Sequence, residues 1–428
     1  LGKMMLYDTR KYDIQTYVLE ANPEAPCKIA CDVFEQGDLM DFDTVVNFGR
    51  KVDVLTFEIE LVNVDALEQL ESEGKKVYPS SATLRKIQDK GVQKQFYAEK
   101  GIPTADFTVY DEKYELTEAL VRKEWEYPFV WKSCTGGYDG KGVSVIREEE
   151  DMIPLPEGTC LAEKMIPFKN ELAVIVARNV SGEVKTYPVV EMEFHPEANQ
   201  VEYVICPARI EDHVAEKARA VAKKVSESFE HVGLLAVEMF QTEDDEILVN
   251  EVAPRPHNSG HYSIEASFTN QFEQHIRAIL DLPLGETDSK VGGVMVNLVG
   301  DENHEGQVHY QNIEKIMQMP GVTPHIYGKK QTRPFRKMGH VTIVNENIDE
   351  ARKVAEQVKG EIKVISVLFA DIRNFTEMTE HMPPEEVITL LNKFMTHMTE
   401  IIHHHGGVID KYIGDEIMAL FGAPVADS

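Results

Sequence analysis

Two glutamates thirteen residues apart give the first chemical signal. Residues 233–253 read GLLAVEMFQTEDDEILVNEVA, two apolar runs around the acidic turn 242–246. That pattern predicts a β-hairpin. If it closes symmetrically at Asp244-Asp245, Glu238 stands opposite Glu251, with Cβ atoms ~4.5–5.5 Å apart. Their face otherwise carries Ala236, Phe240, Ile247 and Val249. Two like charges on an apolar face are costly unless a cation or proton lies between them, and hard oxygen ligands suit magnesium. Asn250 joins them if a bulge turns it inward. The opposing reading leaves one carboxylate at the hairpin edge, in water. The second signal is YPFVWKSCTGGYDGKGV (127–143), where a strand delivers Lys132 to a glycine loop. Glycines let backbone N–H groups approach phosphate oxygens, and Lys132 and Lys141 add mobile charge. No GxxxxGK[ST] is present, so the loop is not a P-loop. The bland reading is a glycine hairpin with surface lysines. Third, Arg255, His257, Asn258, Ser259 and His261 crowd a Pro-Gly loop directly after the second glutamate. Such a loop can orient a small anion, or be a hydrogen-bonded turn.

The elements that position these groups follow from periodicity. In residues 1 to about 80, TYVLE, KIACD, TVVNF, DVLTFE and KVYPS are strand candidates, after a helical start at Leu1-Gly2-Lys3. They predict a small α/β domain with a parallel sheet. From Ser80 to about Leu284 helices, strands and hairpins mix, with TCLAEKMI and ELAVIVARN as strands and a helix at about 212–230. Residues 290–365 predict a smaller β-rich unit closed by an amphipathic helix near 348–358. At Val364-Ile365-Ser366 the character changes without a linker: a strand, a helix start, a long helix after Pro383-Pro384, then a hairpin in GVIDKYIGDEIMALFG.

Composition narrows the function classes. The 428 residues carry a net charge of -29, which repels phosphate backbones and anionic membranes. Neither nucleic acid nor a membrane is expected as a partner. No apolar run approaches the ~20 residues of a membrane span, and no signal peptide is visible. The five cysteines form no CxxC pair, so the expectation is a reducing cytoplasm, with Cys134 a small filler residue.

WKSCTGGYDGKG, LAEKMIPFKNELAV, VEMF…VNEVAPRPHNSGHYS and RPFRKMGH resemble the N5-carboxyaminoimidazole ribonucleotide synthetases of the ATP-grasp superfamily, from Leu1 to about Ser366. The resemblance implies an α/β chain: a Rossmann-like pre-ATP-grasp domain at 1–80, an ATP-grasp domain at 81–288 and a small β-rich domain at 289–365. It implies that ATP and bicarbonate form carboxyphosphate, whose carboxyl group passes to the amine of 5-aminoimidazole ribonucleotide in purine biosynthesis. Lys90 and Lys132 match positions that hold ATP phosphates. Glu163 and Lys164 match the strand that reads adenine through its backbone, and Glu171 the ribose ligand. Glu238 and Glu251 match the Mg2+ ligands. Arg255, His257 and Asn258 match the bicarbonate site. Tyr138, Lys141, Lys329 and Arg336 match ribonucleotide contacts, the last two as a phosphate clamp. A homodimer is the expected assembly. The family begins with a strand and a Gly-Gly-Gly-Gln turn ahead of the segment matching LGKMM, so a shortened first sheet is expected.

VLFADIRNFTEMTE and GGVIDKYIGDEIMALFGAP resemble the start of a class III adenylate/guanylate cyclase domain, a βαββ fragment at 366–428. Asp371 and Asp415 match its metal-binding aspartates, and Lys411 a purine-selecting lysine. Residues that stabilise the cyclisation transition state belong to later strands of that family, so cyclase activity is not expected. Two other readings are a cyclase-type signalling protein with an N-terminal ATP-binding region and an inactive nucleotide-binding protein.

Overall fold

A computed structural model describes residues 1–136, 142–195, 200–302, 305–361 and 363–421. The chain divides into one unit of Leu1–Met295 with Val344–Ala351 and a second of Val296–Ile343 with Arg352–Ser428.

The first unit opens with α1 (Gly2–Thr9). Strands β1 (Tyr17–Glu20) and β2 (Val33–Gln36) then pair in parallel. Helix α2 (Phe42–Gly49) leads to β3 (Val54–Leu55), and α3 (Val64–Ser72) to β4 (Lys76–Val77), which is parallel to β3. Asp41 and Asn63 start the two helices by accepting from the backbone of Thr44 and Ala66. Two expected strands are corrected. KIACD is a 3-10 turn at Pro26–Ile29, and the strand lies just beyond it. TVVNF is part of α2. Its β-branched pair reads as strand, but Val45, Val46, Phe48 and Gly49 bury at helical spacing under the Asp41 cap. Tertiary burial and the cap outweigh the local propensity. The two parallel pairs are separate sheets. A cavity of about 540 Å³ is lined by every residue from Thr16 to Glu20 and from Lys51 to Ile59. Successive side chains of a strand alternate, so lining by consecutive residues means that strand edges face this space.

Helices α4 (Ser81–Ile87) and α5 (Lys90–Glu99) follow. Next come β5 (Phe107–Tyr110), α6 (Lys113–Val121), β6 (Phe129–Ser133), β7 (Val143–Ile146) and β8 (Cys160–Lys164), in an antiparallel sheet of order β5-β8-β6-β7. The remaining strands are β9 (Phe168–Arg178), β10 (Val184–Thr186), β11 (Val190–Phe194) and β12 (Val201–Cys206). After α7 (Asp212–Phe229) come β13 (Gly233–Thr242) and β14 (Ile247–Ala253). Their order is β14-β13-β9-β11-β12, with β10 also on β9. Val214, Ala218, Ala222, Val225 and Phe229 form one stripe of α7 and bury against Leu172, Val174, Val176, Leu235 and Val237. Each large side chain so buried contributes roughly 1.5–3 kcal/mol, which makes this sheet face a rigid base for the site. Helices α8 (Ser263–Ala266) and α9 (Gln271–Ile279) precede β15 (Gly292–Val299).

The second unit contains β16 (Gly306–Gln311), α10 (Ile313–Met317), β17 (Val322–Ile326), β18 (Gln331–Thr332) and β19 (Lys337–Asn345). After α11 (Ile348–Glu361) come β20 (Lys363–Ala370), α12 (Phe375–Thr379), α13 (Pro384–His404), β21 (Gly407–Ile413) and β22 (Glu416–Phe421). The change of character at 364–366 falls inside β20. That strand is nonetheless paired on both edges, antiparallel to β16 and to β22, in the order β18-β16-β20-β22-β21. All five cysteines are free. Among the described residues no helix is long and apolar enough to cross a membrane.

Candidate active site

The hairpin of β13 and β14 does oppose Glu238 and Glu251, by a route other than symmetric closure. Gln241 pairs Ile247, Phe240 pairs Leu248 and Met239 pairs Val249; the register then shifts, and Glu238 meets Glu251. Asn250 is the bulged residue. A one-residue shift moves side chains to the other face, so the expected apolar neighbours need correction. Ile247 and Val249 point into the core with Leu235, Val237 and Met239. Ala236 and Ala253 lie in a different cluster. The bulge frees the Asn250 side chain, whose Oδ1 accepts from Lys132 Nζ at 3.0 Å.

Lys90 is aimed by a helix start. Asp89 caps α5 by accepting from the N–H groups of Gly91 (2.8 Å) and Val92 (3.0 Å). The Lys90 N–H donates to Cys134 O at 2.8 Å, and its Nζ reaches Glu251 Oε2 at 2.7 Å. Burial alone would raise the Glu251 carboxyl, but the ammoniums of Lys90 and Lys132 outweigh that and hold it at about 2. Its side chain keeps 44% of its surface exposed, so solvent screens part of this attraction. Burial pushes the Cys134 thiol up to about 12, so it fills space and carries no thiolate at neutral pH.

On the loop after β14, His257 Nε2 lies 3.5 Å from Glu238 Oε1, and its Nδ1 shares a 2.9 Å hydrogen bond with Ser259 Oγ. Gln271 clamps the His257 backbone from both sides, accepting from its N–H and donating to its carbonyl, each at 2.8 Å. Arg255 Nε lies 3.1 Å from Glu60 Oε1. Burial pushes the Glu60 carboxyl up and Arg255 opposes it. Asn258 is buried beside them in sequence.

The site also holds a buried ionic chain that the sequence reading did not find. Lys94 Nζ pairs with Glu163 Oε1 at 2.7 Å, and Glu163 Oε2 lies 2.6 Å from Lys132 Nζ. Lys94 follows Lys90 by one helical turn, and that spacing was the available signal. Glu163 thus commits its side chain inward. Lys164 is exposed, and its N–H donates to Asp106 O at 2.8 Å.

Glu171 stands on β9 opposite Phe240. Burial, with Glu251 adding repulsion, pushes its carboxyl up to about 7. The folded protein then binds this proton more tightly than the unfolded chain does, so stability falls as pH rises from the ordinary 4.5 through about 7. Glu171→Gln is expected to raise Tm at pH 8 and to leave it unchanged near pH 4.5. Equal Tm shifts in thermal melts at both pH values would refute this origin of the shift.

The glycine loop leaves β6 with Gly136 at φ +76° and returns at Gly142 with φ +77°, backbone that favours glycine. Ser133 N–H donates to Gly142 O at 2.8 Å and closes its base. Tyr138 and Lys141 lie outside the described residues. In the second unit, Lys329 Nζ donates to Lys337 O and Arg336 Nη1 to Gln331 O, both at 2.7 Å. Asp371 directly follows β20, and Asp415 sits in the β21–β22 turn. The neighbouring Asp415 carboxyl pushes Asp371 up. Lys411 is exposed, 3.6 Å from Asp410. Among the described residues no group of three or more His, Cys, Asp or Glu is gathered as metal ligands.

Family models match along the chain in the same order. Residues 1–88 match the ribonucleotide synthetase preATP-grasp domain, 95–272 the ATP-grasp domain and 293–354 the phosphoribosylaminoimidazole carboxylase C-terminal domain. The N5-carboxyaminoimidazole ribonucleotide synthase of Bacillus subtilis is 39% identical over 359 residues, covering 82% of this chain and 90% of the relative. The chain belongs to the N5-carboxyaminoimidazole ribonucleotide synthase family. It is an ATP-grasp ligase of purine biosynthesis. The Thermotoga maritima synthetase structure superposes with a TM-score of 0.79 at 41% identity, over 86% of this chain and 97% of that one. An Aspergillus clavatus synthase, solved with ADP and 5-aminoimidazole ribonucleotide, gives 0.76 at 33% identity, over 84% and 95%. Residues 357–428 match the adenylate and guanylate cyclase catalytic domain.

Proposed function

We propose that this synthase joins ATP and bicarbonate into carboxyphosphate and passes the carboxyl group to the amine of 5-aminoimidazole ribonucleotide. The observation that carries the reading is the opposed pair Glu238 and Glu251, with Lys90 Nζ 2.7 Å from Glu251 and the Arg255–Asn258 loop directly downstream. The carboxylates and the Asn250 oxygen are hard donors beside an attracted cation, which fits Mg2+ held by Glu238 and Glu251. When bound, the ion supplies charge to the phosphate oxygens. Lys90 and Lys132 neutralise and orient the phosphates. Glu171 accepts from the ribose, and the Glu163–Lys164 strand borders the adenine. Arg255, His257 and Asn258 hold bicarbonate for attack on the terminal phosphate, with His257 kept in place by Gln271. Tyr138, Lys141, Lys329 and Arg336 bind the ribonucleotide. Domain limits at about 80, 288 and 365, homodimer assembly and a cytoplasmic location belong to the same reading. Phosphate release that requires both bicarbonate and the aminoimidazole ribonucleotide tests it; release independent of either would sink it.

Arg336→Ala is expected to raise the KM for the ribonucleotide at least tenfold and to leave that for ATP nearly unchanged. A charge-assisted contact to phosphate contributes roughly 1.5–3 kcal/mol. Equal effects on both KM values would remove Arg336 from the phosphate clamp.

The segment from 366 is cyclase-like, and its Asp371 and Asp415 hold a divalent ion weakly.

A further inference from the structure

Lys94 has no role in the proposed chemistry, yet it is 2% exposed and held on every side. Its Nζ donates to Thr104 Oγ1 at 2.5 Å, Glu163 Oε1 at 2.7 Å and Val249 O at 3.5 Å, three acceptors for an ammonium's three protons. Thr104 Oγ1 itself donates to Val249 O at 2.7 Å. These bonds tie α5 and β8 to β14 at the residue before the Asn250 bulge. Burial pulls the Lys94 ammonium down to about 8, with Glu163 opposing that. A desolvated cation kept at this cost has a use.

Charge counting gives that use. Glu163 lends one oxygen to Lys94 and the other to Lys132. Two lysines on one glutamate leave one net positive charge, and Lys132 keeps part of its ammonium for another anion. Without Lys94, both oxygens of a buried carboxylate turn to Lys132, and the pair becomes neutral.

We propose that Lys94 is a positioning residue that shares Glu163 so that Lys132 remains available to the ATP phosphates. This rests on the assignment of Lys132 to ATP. Lys94→Met nearly conserves volume and removes the charge. It is expected to raise the KM for ATP about tenfold, the size of a lost charged hydrogen bond, with a smaller change in kcat. Adding Glu163→Gln restores the net charge of one and should bring that KM back to within about threefold of the parent. A role confined to packing predicts the reverse, since the second substitution would add further damage. Lys132→Met separates the two ideas. If it leaves the KM for ATP unchanged, the Lys132 assignment fails, and this proposal with it. If Lys132→Met raises the KM and Lys94→Met does not, or the double substitution is worse than Lys94→Met alone, the proposal is overturned and the assignment stands. Should Lys94→Met not fold, the double substitution decides, since it buries a neutral pair. A folded double variant with a tenfold or greater rise in KM for ATP overturns the proposal.

Discussion

Glu251→Gln is expected to abolish ATP turnover. The amide has the shape of the carboxylate, so a loss reports charge and not volume. Two partners lose their anion at once: Lys90, whose Nζ is 2.7 Å away, and the divalent ion proposed between Glu251 and Glu238. Metal-assisted charge stabilisation contributes several kcal/mol to such steps, and each 1.36 kcal/mol is tenfold in rate. A fall of at least ~10³ in phosphate release is the expected size. Stability should move the other way in acid. With Glu251 held at about 2 in the folded state, its contribution is present above the ordinary 4.5 and is lost as pH falls towards 2. Wild type and variant should therefore differ in urea stability at pH 7 and converge near pH 2. Wild-type turnover by the variant at saturating magnesium would remove Glu251 from the metal site.

The opposition of Glu238 and Glu251 was legible in the sequence, though partly by compensation. The turn closes one residue tighter than symmetry suggests, and the bulge at Asn250 restores the register from the carboxylates to Ala236 and Ala253. Period-two reasoning cannot place a bulge, so it put Ile247 and Val249 on the wrong face. The helix α7 was readable because its apolar spacing matches the face it buries, and the strand around Glu171 because it is a short continuous apolar run. Lys94, Glu60 and Gln271 were not. Each acts on a partner far away in the chain: Lys94 on Glu163, Glu60 on Arg255, Gln271 on His257. The one-turn spacing from Lys90 puts Lys94 on the same helix face but does not mark it for burial, since lysine and glutamate are normally exposed and only the fold supplies the counter-charge. The error at TVVNF has the same root. Val45 and Val46 favour a strand locally, and the core of Leu67, Leu70 and Val77 with the Asp41 cap made them helical.

The cyclase-derived segment should open long before the ATP-grasp sheet does, and it should make no cyclic nucleotide. Among the described residues its buried apolar cluster is Ile402, Ile417 and Ala419, ringed by half-covered Leu368, Phe394, Met395, Met398, Ile409 and Phe421. Ile388, Ile401 and Phe369 remain half exposed or more. In strands β9 and β13, by contrast, Leu172–Ala177 and Gly233–Val237 are buried without a break. Few buried contacts mean a low opening free energy. Strand β20 is different from the rest of the segment, because β16 pairs one of its edges. Limited trypsin digestion should therefore cut first at the exposed Lys393 and Lys411 and leave a core fragment that retains β20. Amide exchange in α13 should run at least ~100-fold faster than in β13, which corresponds to about 2.7 kcal/mol of opening free energy. Cyclisation needs donors fixed in advance around the developing charge on phosphorus. Here Asp371 and Asp415 bring negative charge, and Lys411 is a solvated side chain beside Asp410. Such groups can attract a metal–nucleotide complex without stabilising its transition state. With manganese and ATP or GTP, cyclic nucleotide should stay at the level of a buffer blank. If the tail resists trypsin as long as the ATP-grasp domain does, and cyclic AMP or cyclic GMP accumulates in proportion to protein, the segment is a working cyclase and this reading is wrong.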